Sequence, residues 1–193
     1  MTSYKHFSDH ELICNFQNGQ IEALETLVLR HKEKIYTSIY LLVKDKYLAE
    51  DLFQEVFIKI IDTLNHKKYN EEGKFLPWAI RIARNMCVDH FRKIKRRPTI
   101  KNTDNYNIFE VFNFTEESAE DKKMRLQSYG KMHQMLELLP EEQREVLILR
   151  HFADLSFKEI AELMNCSINT ALGRMRYGLI NLRKLMTEKQ IAL

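Results

Sequence analysis

A chain of 193 residues has room for one or two small domains, and 45% apolar residues suffice to pack their cores. Five glycines and three prolines are too few for an all-β fold built on turns. There is no run of about 18 apolar residues to cross a membrane, the start Met1-Thr2-Ser3-Tyr4-Lys5-His6 lacks the apolar stretch of a signal peptide, and Cys14, Cys87 and Cys166 are too dispersed for metal-ligand spacing. A cytoplasmic protein without membrane insertion is expected. The net charge of +3 decides little, but its distribution along the chain is uneven.

In chain order, residues 8–18 predict a short helix capped by Ser8, with Glu11 completing a capping box and Leu12, Ile13 and Phe16 facing inward. Gly19 ends it. A second helix starts near Ile21, with Leu24, Leu27, Val28 and Ile35 on its apolar side, and runs on through the β-branched stretch to Val43. Leu48 to Leu64 carries a wide apolar stripe of Leu48, Leu52, Phe53, Val56, Phe57, Ile60, Ile61 and Leu64, with Asp51, Gln54, Glu55, Lys59 and Asp62 on the remaining surface. Residues 65–74 are polar and hold Gly73, so they predict a loop. Phe75 to Ile94 predicts another helix, with Pro77 in its first turn and Trp78, Ile82, Met86 and Phe91 as buried anchors.

That helix turns basic. From Arg81 to Arg97 the cations Arg81, Arg84, Arg92, Lys93, Lys95, Arg96 and Arg97 face one acid, Asp89, and Pro98 stops the run. The next stretch reverses sign, with Asp104, Glu110, Glu116, Glu117, Glu120 and Asp121 against Lys101. It lacks a clean period and predicts a flexible acidic linker. Helix resumes near Lys122, with Met124, Met132, Met135, Leu136 and Leu139 as its packing face. Pro140 ends that helix and starts the next, whose Val146, Leu147, Leu149 and Phe152 pack inward.

Residues 156–183 predict two helices joined by a tight turn. Ser156 and Glu159 form a capping box, Ile160, Ala161, Leu163 and Met164 give an inward face, and Asn165 tolerates the left-handed turn conformation. Ser167 caps a longer helix with Ile168, Ala171, Leu172, Met175, Leu179 and Leu182 near a period of 3.6. It carries Arg174, Arg176, Arg183 and Lys184, with no acid before Glu188. A short helix, a turn and a longer basic helix make a helix-turn-helix, whose second helix can enter the major groove of duplex DNA. A hairpin that only packs is the plainer alternative, although a packing helix usually mixes charge signs on its outer face.

The whole is expected to be all-α, two small helical domains (1–97 and 122–193) joined by a flexible acidic linker (98–121), the second containing the helix-turn-helix. No catalytic set, phosphate loop or metal-ligand spacing is present, so a non-enzyme without cofactor or metal is expected. The basic run from Arg81 fits either a solvated helix end or a nucleic-acid surface. Trp78, Phe75, Phe91 and the upstream Tyr69 favour the second, since cations hold phosphates and aromatic faces accept unstacked bases. Trp78 alone is more simply core than a base platform.

The stretches Asp51-Leu-Phe-Gln-Glu-Val-Phe57, Phe75-Leu-Pro-Trp-Ala-Ile-Arg-Ile-Ala-Arg-Asn85 and Asp89-His-Phe-Arg92, followed by the helix-turn-helix, resemble bacterial RNA polymerase sigma factors of the extracytoplasmic-function group. The likeness runs in order from about Ile21 to Met186. It implies docking on core polymerase (β and β′ subunits), through Asp51, Gln54, Glu55 and Phe57 on a β′ coiled coil. It implies minus-ten recognition and strand opening by Tyr69, Trp78, Arg81, Arg84, Asn85 and Arg92, with one base flipped into a pocket near Asn85 that Tyr69 would wall. It implies minus-thirty-five recognition of promoter DNA by Ser167, Asn169, Thr170, Leu172, Gly173, Arg174, Arg176 and Tyr177, the linker threading into the polymerase, and an anti-sigma factor as a further partner. The chain departs from the family at Leu172, where a basic residue is common. An apolar side chain meets a thymine methyl but cannot pair with guanine, which leaves readout to Asn169, Thr170, Arg176 and Tyr177, with Arg174 on phosphate. A dimeric helix-turn-helix regulator without a sigma role is the alternative.

Overall fold

The computed structural model describes residues 4–70, 74–96 and 134–188, and every regular element among them is helical. The chain divides into two compact units, 1–99 and 100–193. The expected acidic linker, Pro98, Gly73 and the start of the helix near Lys122 lie outside the described residues, as do Met124 and Met132.

In the first unit a 3-10 turn (Tyr4–His6) precedes α1 (Asp9–Gln17), α2 (Ile21–Val43), α3 (Lys46–Asn65) and α4 (Phe75–Arg96). The Ser8 and Glu11 capping box forms as expected. α2 is continuous through the β-branched stretch because both sides of it are needed. It packs against α1, α3 and α4, and residues from Ala23 to Val43 around much of its circumference are buried. Lys44 ends it in the left-handed conformation, φ 62°, donating its N–H to Tyr40 O. Asp45 then caps α3 by accepting from Leu48 N at 3.0 Å.

α4 corrects one expectation. Trp78, Ile82, Met86 and Phe91 are only half-buried, and the face in the core is Phe75, Ala79, Ile80, Ala83 and Cys87. Both sets recur at helical spacing. Those of the smaller set, Ala79, Ala83 and Cys87, let the helix backbone sit closest to its neighbours, and close packing decides which stripe goes inward.

The second unit has a helical turn at 134–137, then α5 (Glu141–His151), α6 (Phe157–Leu163) and α7 (Ile168–Glu188). Pro140 precedes the first turn of α5, where Glu141 and Glu142 lie near the positive end of the helix dipole. Leu136, Leu139 and Leu147 form a core against which Phe152, Met175, Leu182 and Leu185 pack. α7 corrects a second expectation. Ile168, Leu172 and Leu179 are exposed. The inward side runs Ala171, Met175, Gly178, Leu182, Leu185, alternating steps of four and three. Gly178 sets that side. A Cβ there would stand 3.1 Å from Leu147 Cδ1, so α5 and α7 approach through it.

One polar bracket ties α1 to α2. Asp9 accepts from Arg30 Nη1 at 2.7 Å, and His31 Nε2 lies 2.8 Å from its other oxygen. Burial opposes ionisation of Asp9, but the bonds and charges of His31 and Arg30 outweigh it and hold the carboxyl below its ordinary value of 3.8. A folded-state pKa below the unfolded one stabilises the fold above the unfolded value, and that contribution is lost as pH falls through the folded one. Asp9→Asn is therefore expected to destabilise the protein by about 2 kcal/mol at neutral pH. In denaturant titrations at a series of pH values, the gap to the parent closes as acid protonates Asp9.

Candidate nucleic-acid and polymerase interfaces

The inward stripe of α4 fixes what its back presents. On a 3.6-residue helix Trp78, Arg81, Asn85 and Arg92 fall on the side opposite Ala79 and Ala83, with Arg84 on the flank. Arg81, Asn85 and Arg92 are exposed and Arg84 is half-buried. Asp89 lies 3.3 Å from Arg92, an exposed pair worth little against a phosphate. The expected minus-ten residues of α4 therefore share one cationic face.

Tyr69 joins that face through the loop after α3. His66 and Lys67 turn the chain, Lys67 at φ 53°, and Lys67 and Lys68 donate their N–H groups back to Leu64 O and Thr63 O. The ring of Tyr69 then lies 4.5 Å from that of Trp78, tilted by 51°. Phe75, fully buried, stands below both, at 6.4 Å from Tyr69 and 5.8 Å from Trp78. Its other neighbour is His31 at 5.2 Å, so the aromatic group rests on the Asp9 bracket. Trp78 is neither a core residue nor a free platform. It is partly buried against Tyr69 and Phe75, and the rest of its surface is open.

On α3, Asp51, Gln54 and Glu55 are exposed. Phe57 is not. It is 8% exposed and its ring lies 4.8 Å from Phe53, so it faces the core rather than a partner. Tyr47 and Ile58, four residues before and seven after Asp51, are exposed on the same stripe. The sequence reading missed them, although two apolar residues on an otherwise polar face were the available signal.

In the second unit the turn is closed by backbone geometry. Ser156 and Glu159 cap α6 reciprocally. Asn165 takes φ 51°, and Cys166 N donates to Ala161 O at 2.9 Å. Ser167 Oγ accepts from Thr170 N at 3.0 Å and lies 2.8 Å from its hydroxyl, so both side chains are engaged in starting α7. Asn169, Leu172, Arg176 and Tyr177 are exposed, with Gly173 between them. Arg174 departs from the expected placement. It turns to the flank facing α5, 3.1 Å from Glu142, with its side chain 23% exposed. Among the described residues no group of His, Cys, Asp or Glu could hold a metal ion, and no helix is long and apolar enough to cross a membrane.

Comparison with known proteins matches these two units to two family models, sigma-70 region 2 over residues 27–97 and sigma-70 region 4 over residues 129–172. The chain is 32% identical to the RNA polymerase sigma-H factor of Pseudomonas aeruginosa, over 86% of its own length and 88% of the relative's. It is 28% identical to the ECF RNA polymerase sigma factor SigW of Bacillus subtilis, over 91% and 95%. Among solved structures, the sigma factor RpoE of Bartonella quintana, in complex with the anti-sigma factor NepR, shares the fold, with a TM-score of 0.65 at 19% identity over 85% of this chain and 96% of that one. A regulator built on the helix-turn-helix alone does not account for the region 2 match over the first unit. With its α3 and α4 faces in the first unit and its helix-turn-helix in the second, the chain belongs to the sigma-70 family of RNA polymerase sigma factors, in the extracytoplasmic-function group.

Proposed function

We propose that this sigma factor divides its work among three helix faces. The exposed stripe of α3 docks on core polymerase, with Asp51, Gln54 and Glu55 making polar contacts and Tyr47 and Ile58 adding apolar ones at either end. Phe57 acts from beneath, buried in the core side of α3 next to Phe53. The α4 face receives the minus-ten strand once it is unpaired. Arg81, Arg84 and Arg92 hold phosphates, and a base turned out near Asn85 meets the open edge of the Tyr69 and Trp78 pair. The outer face of α7 reads the minus-thirty-five duplex in the major groove. Arg174, drawn toward Glu142, serves the edge of that contact rather than its centre.

The chain itself is non-catalytic in this reading and works in the cytoplasm with polymerase. Each DNA contact is modest, and core polymerase joins them, so one stretch of promoter is held twice without new contacts. A relative of the same fold is known in complex with an anti-sigma factor, and we extend that class of partner to this chain. The observation that carries the reading is the partly exposed aromatic pair beside a cationic helix face, chemistry suited to unpaired DNA and absent from the helix-turn-helix.

In vitro transcription with core polymerase from a matched bacterium tests the whole. Promoter-dependent initiation is expected, and its absence rejects the reading. The docking stripe is tested by Gln54→Ala with Glu55→Ala. Both positions are exposed, so the thermal unfolding curve should not move, while core binding measured by co-purification falls roughly tenfold. The aromatic pair is tested by Trp78→Ala. Loss of one stacked base, about 1–3 kcal/mol, should lower open-complex formation roughly 5- to 150-fold in permanganate footprinting. A template already unpaired across the minus-ten element should recover most of that loss.

A further inference from the structure

His31 is a buried titratable group that the docking and DNA faces leave unused. Apart from tyrosine and cysteine, the polar side chains buried among the described residues are His31 and Ser38. Ser38 donates to Lys34 O within its own helix at 2.7 Å and needs no further account. His31 reaches across to another helix instead. Its Nε2 lies 2.8 Å from Asp9 Oδ2, and an ionised carboxylate can only accept, so Nε2 carries the hydrogen. A buried imidazole is a poor choice for packing alone, because leaving water costs it hydrogen bonds that an apolar ring never had. What it gains is direction. A hydrogen bond fixes the plane and tilt of the ring, which contact between apolar surfaces does not.

Asp9 is itself held. Arg30 Nη1 donates to its Oδ1 at 2.7 Å and Arg30 Nη2 donates to Phe7 O at 2.7 Å, so the segment entering α1 is fastened to α2. On its other side the His31 ring stands 5.2 Å from the Phe75 ring at a tilt of 45°. Phe75 opens α4 and is fully buried, and the rings of Tyr69 and Trp78 lie 6.4 and 5.8 Å from it. Tyr69 and Trp78 are partly exposed, so burial alone does not fix their orientation. A line of groups therefore runs from Asp9 through His31 and Phe75 to the pair, with a directional bond at its start and ring contacts along the rest.

We infer that His31, held by Asp9, is a positioning residue for strand opening, acting through Phe75 to keep the Tyr69 and Trp78 rings at the angle that accepts an unpaired base. This role rests on the proposal that the α4 face receives the minus-ten strand. His31 is buried beneath the pair and meets no DNA itself. A loosened bracket leaves the helices in place and lets the pair rock, and a misplaced stacking surface costs rate without costing the fold. Trp78 is the one tryptophan of the chain, so its fluorescence reports on the pair directly, with no polymerase present.

The test compares His31→Phe and Asp9→Ala with the parent protein and with Ile39→Val, which trims the buried core of α2 about two turns beyond His31. Acrylamide quenching of Trp78 should rise in the two bracket variants. Assembled with core polymerase, both should bind it as the parent does and slow open-complex formation roughly tenfold on duplex promoter. Closed-complex affinity should not change, and a template unpaired across the minus-ten element should recover most of the loss. Ile39→Val should lower the unfolding temperature and move neither readout. His31→Phe keeps a ring of similar size at the site, and if it does not fold, the Asp9→Ala result decides by itself. Unmoved quenching or normal opening in the bracket variants, while Trp78→Ala slows opening, overturns the role of His31 and leaves the minus-ten reading of α4 standing. Normal opening with Trp78→Ala removes that reading and the role of His31 with it. If Ile39→Val moves both readouts as the bracket variants do, the inference is also overturned, because the pair would then be responding to the stability of the whole unit.

Discussion

Close helix contact through small side chains is the constraint on which both functional units depend. In α4 it runs through Ala79, Ala83 and Cys87, and in α7 through Ala171 and Gly178. With small side chains buried along these stripes, rotation of either helix about its axis would drive a larger side chain into its packed neighbours. The outward faces are thereby held in one orientation, and recognition of DNA needs that rigidity more than it needs any single contact.

In the proposed reading, the same packing lets one chain maintain two kinds of nucleic-acid chemistry. α4 turns outward a face whose cations stand beside a supported aromatic pair, and α7 turns outward a face of hydrogen-bonding side chains around a bare backbone. Unpaired bases offer ring faces to stack, and paired bases offer only their edges. The support under the aromatic pair reaches back through Phe75 and His31 to Asp9 on α1. The N-terminal helix thus supports an aromatic pair some sixty residues away in the chain.

In the proposed reading, polar residues that serve the fold are not the ones offered to the partner, even where they are adjacent. Ser167 and Thr170 close the start of α7 on each other, while Asn169 between them projects outward. Arg174 is anchored by Glu142 and Arg176, two positions on, is exposed. On α3, Phe57 is inward and Glu55 outward. A motif written as a string of letters merges these two roles, and the helical period separates them.

Much of the architecture was legible without coordinates. Capping at Ser8, Ser156 and Ser167, the left-handed turn at Asn165, the limits of α2 and α3 and the charge of α4 are local matters, decided by side chains within about four residues of one another. The family could be read from its motifs for the same reason. Three things were not local. Which stripe of α4 and α7 goes inward depended on the closest approach of a second helix, because both helices carry apolar residues around more than half their circumference and periodicity alone permits two answers. The pairing of Tyr69 with Trp78 required a loop to fold back. The capture of Arg174 by Glu142 joined residues more than thirty apart. Sequence determined the helices and their ends, since these are set by short-range hydrogen bonds, and tertiary packing alone decided which way each helix faces.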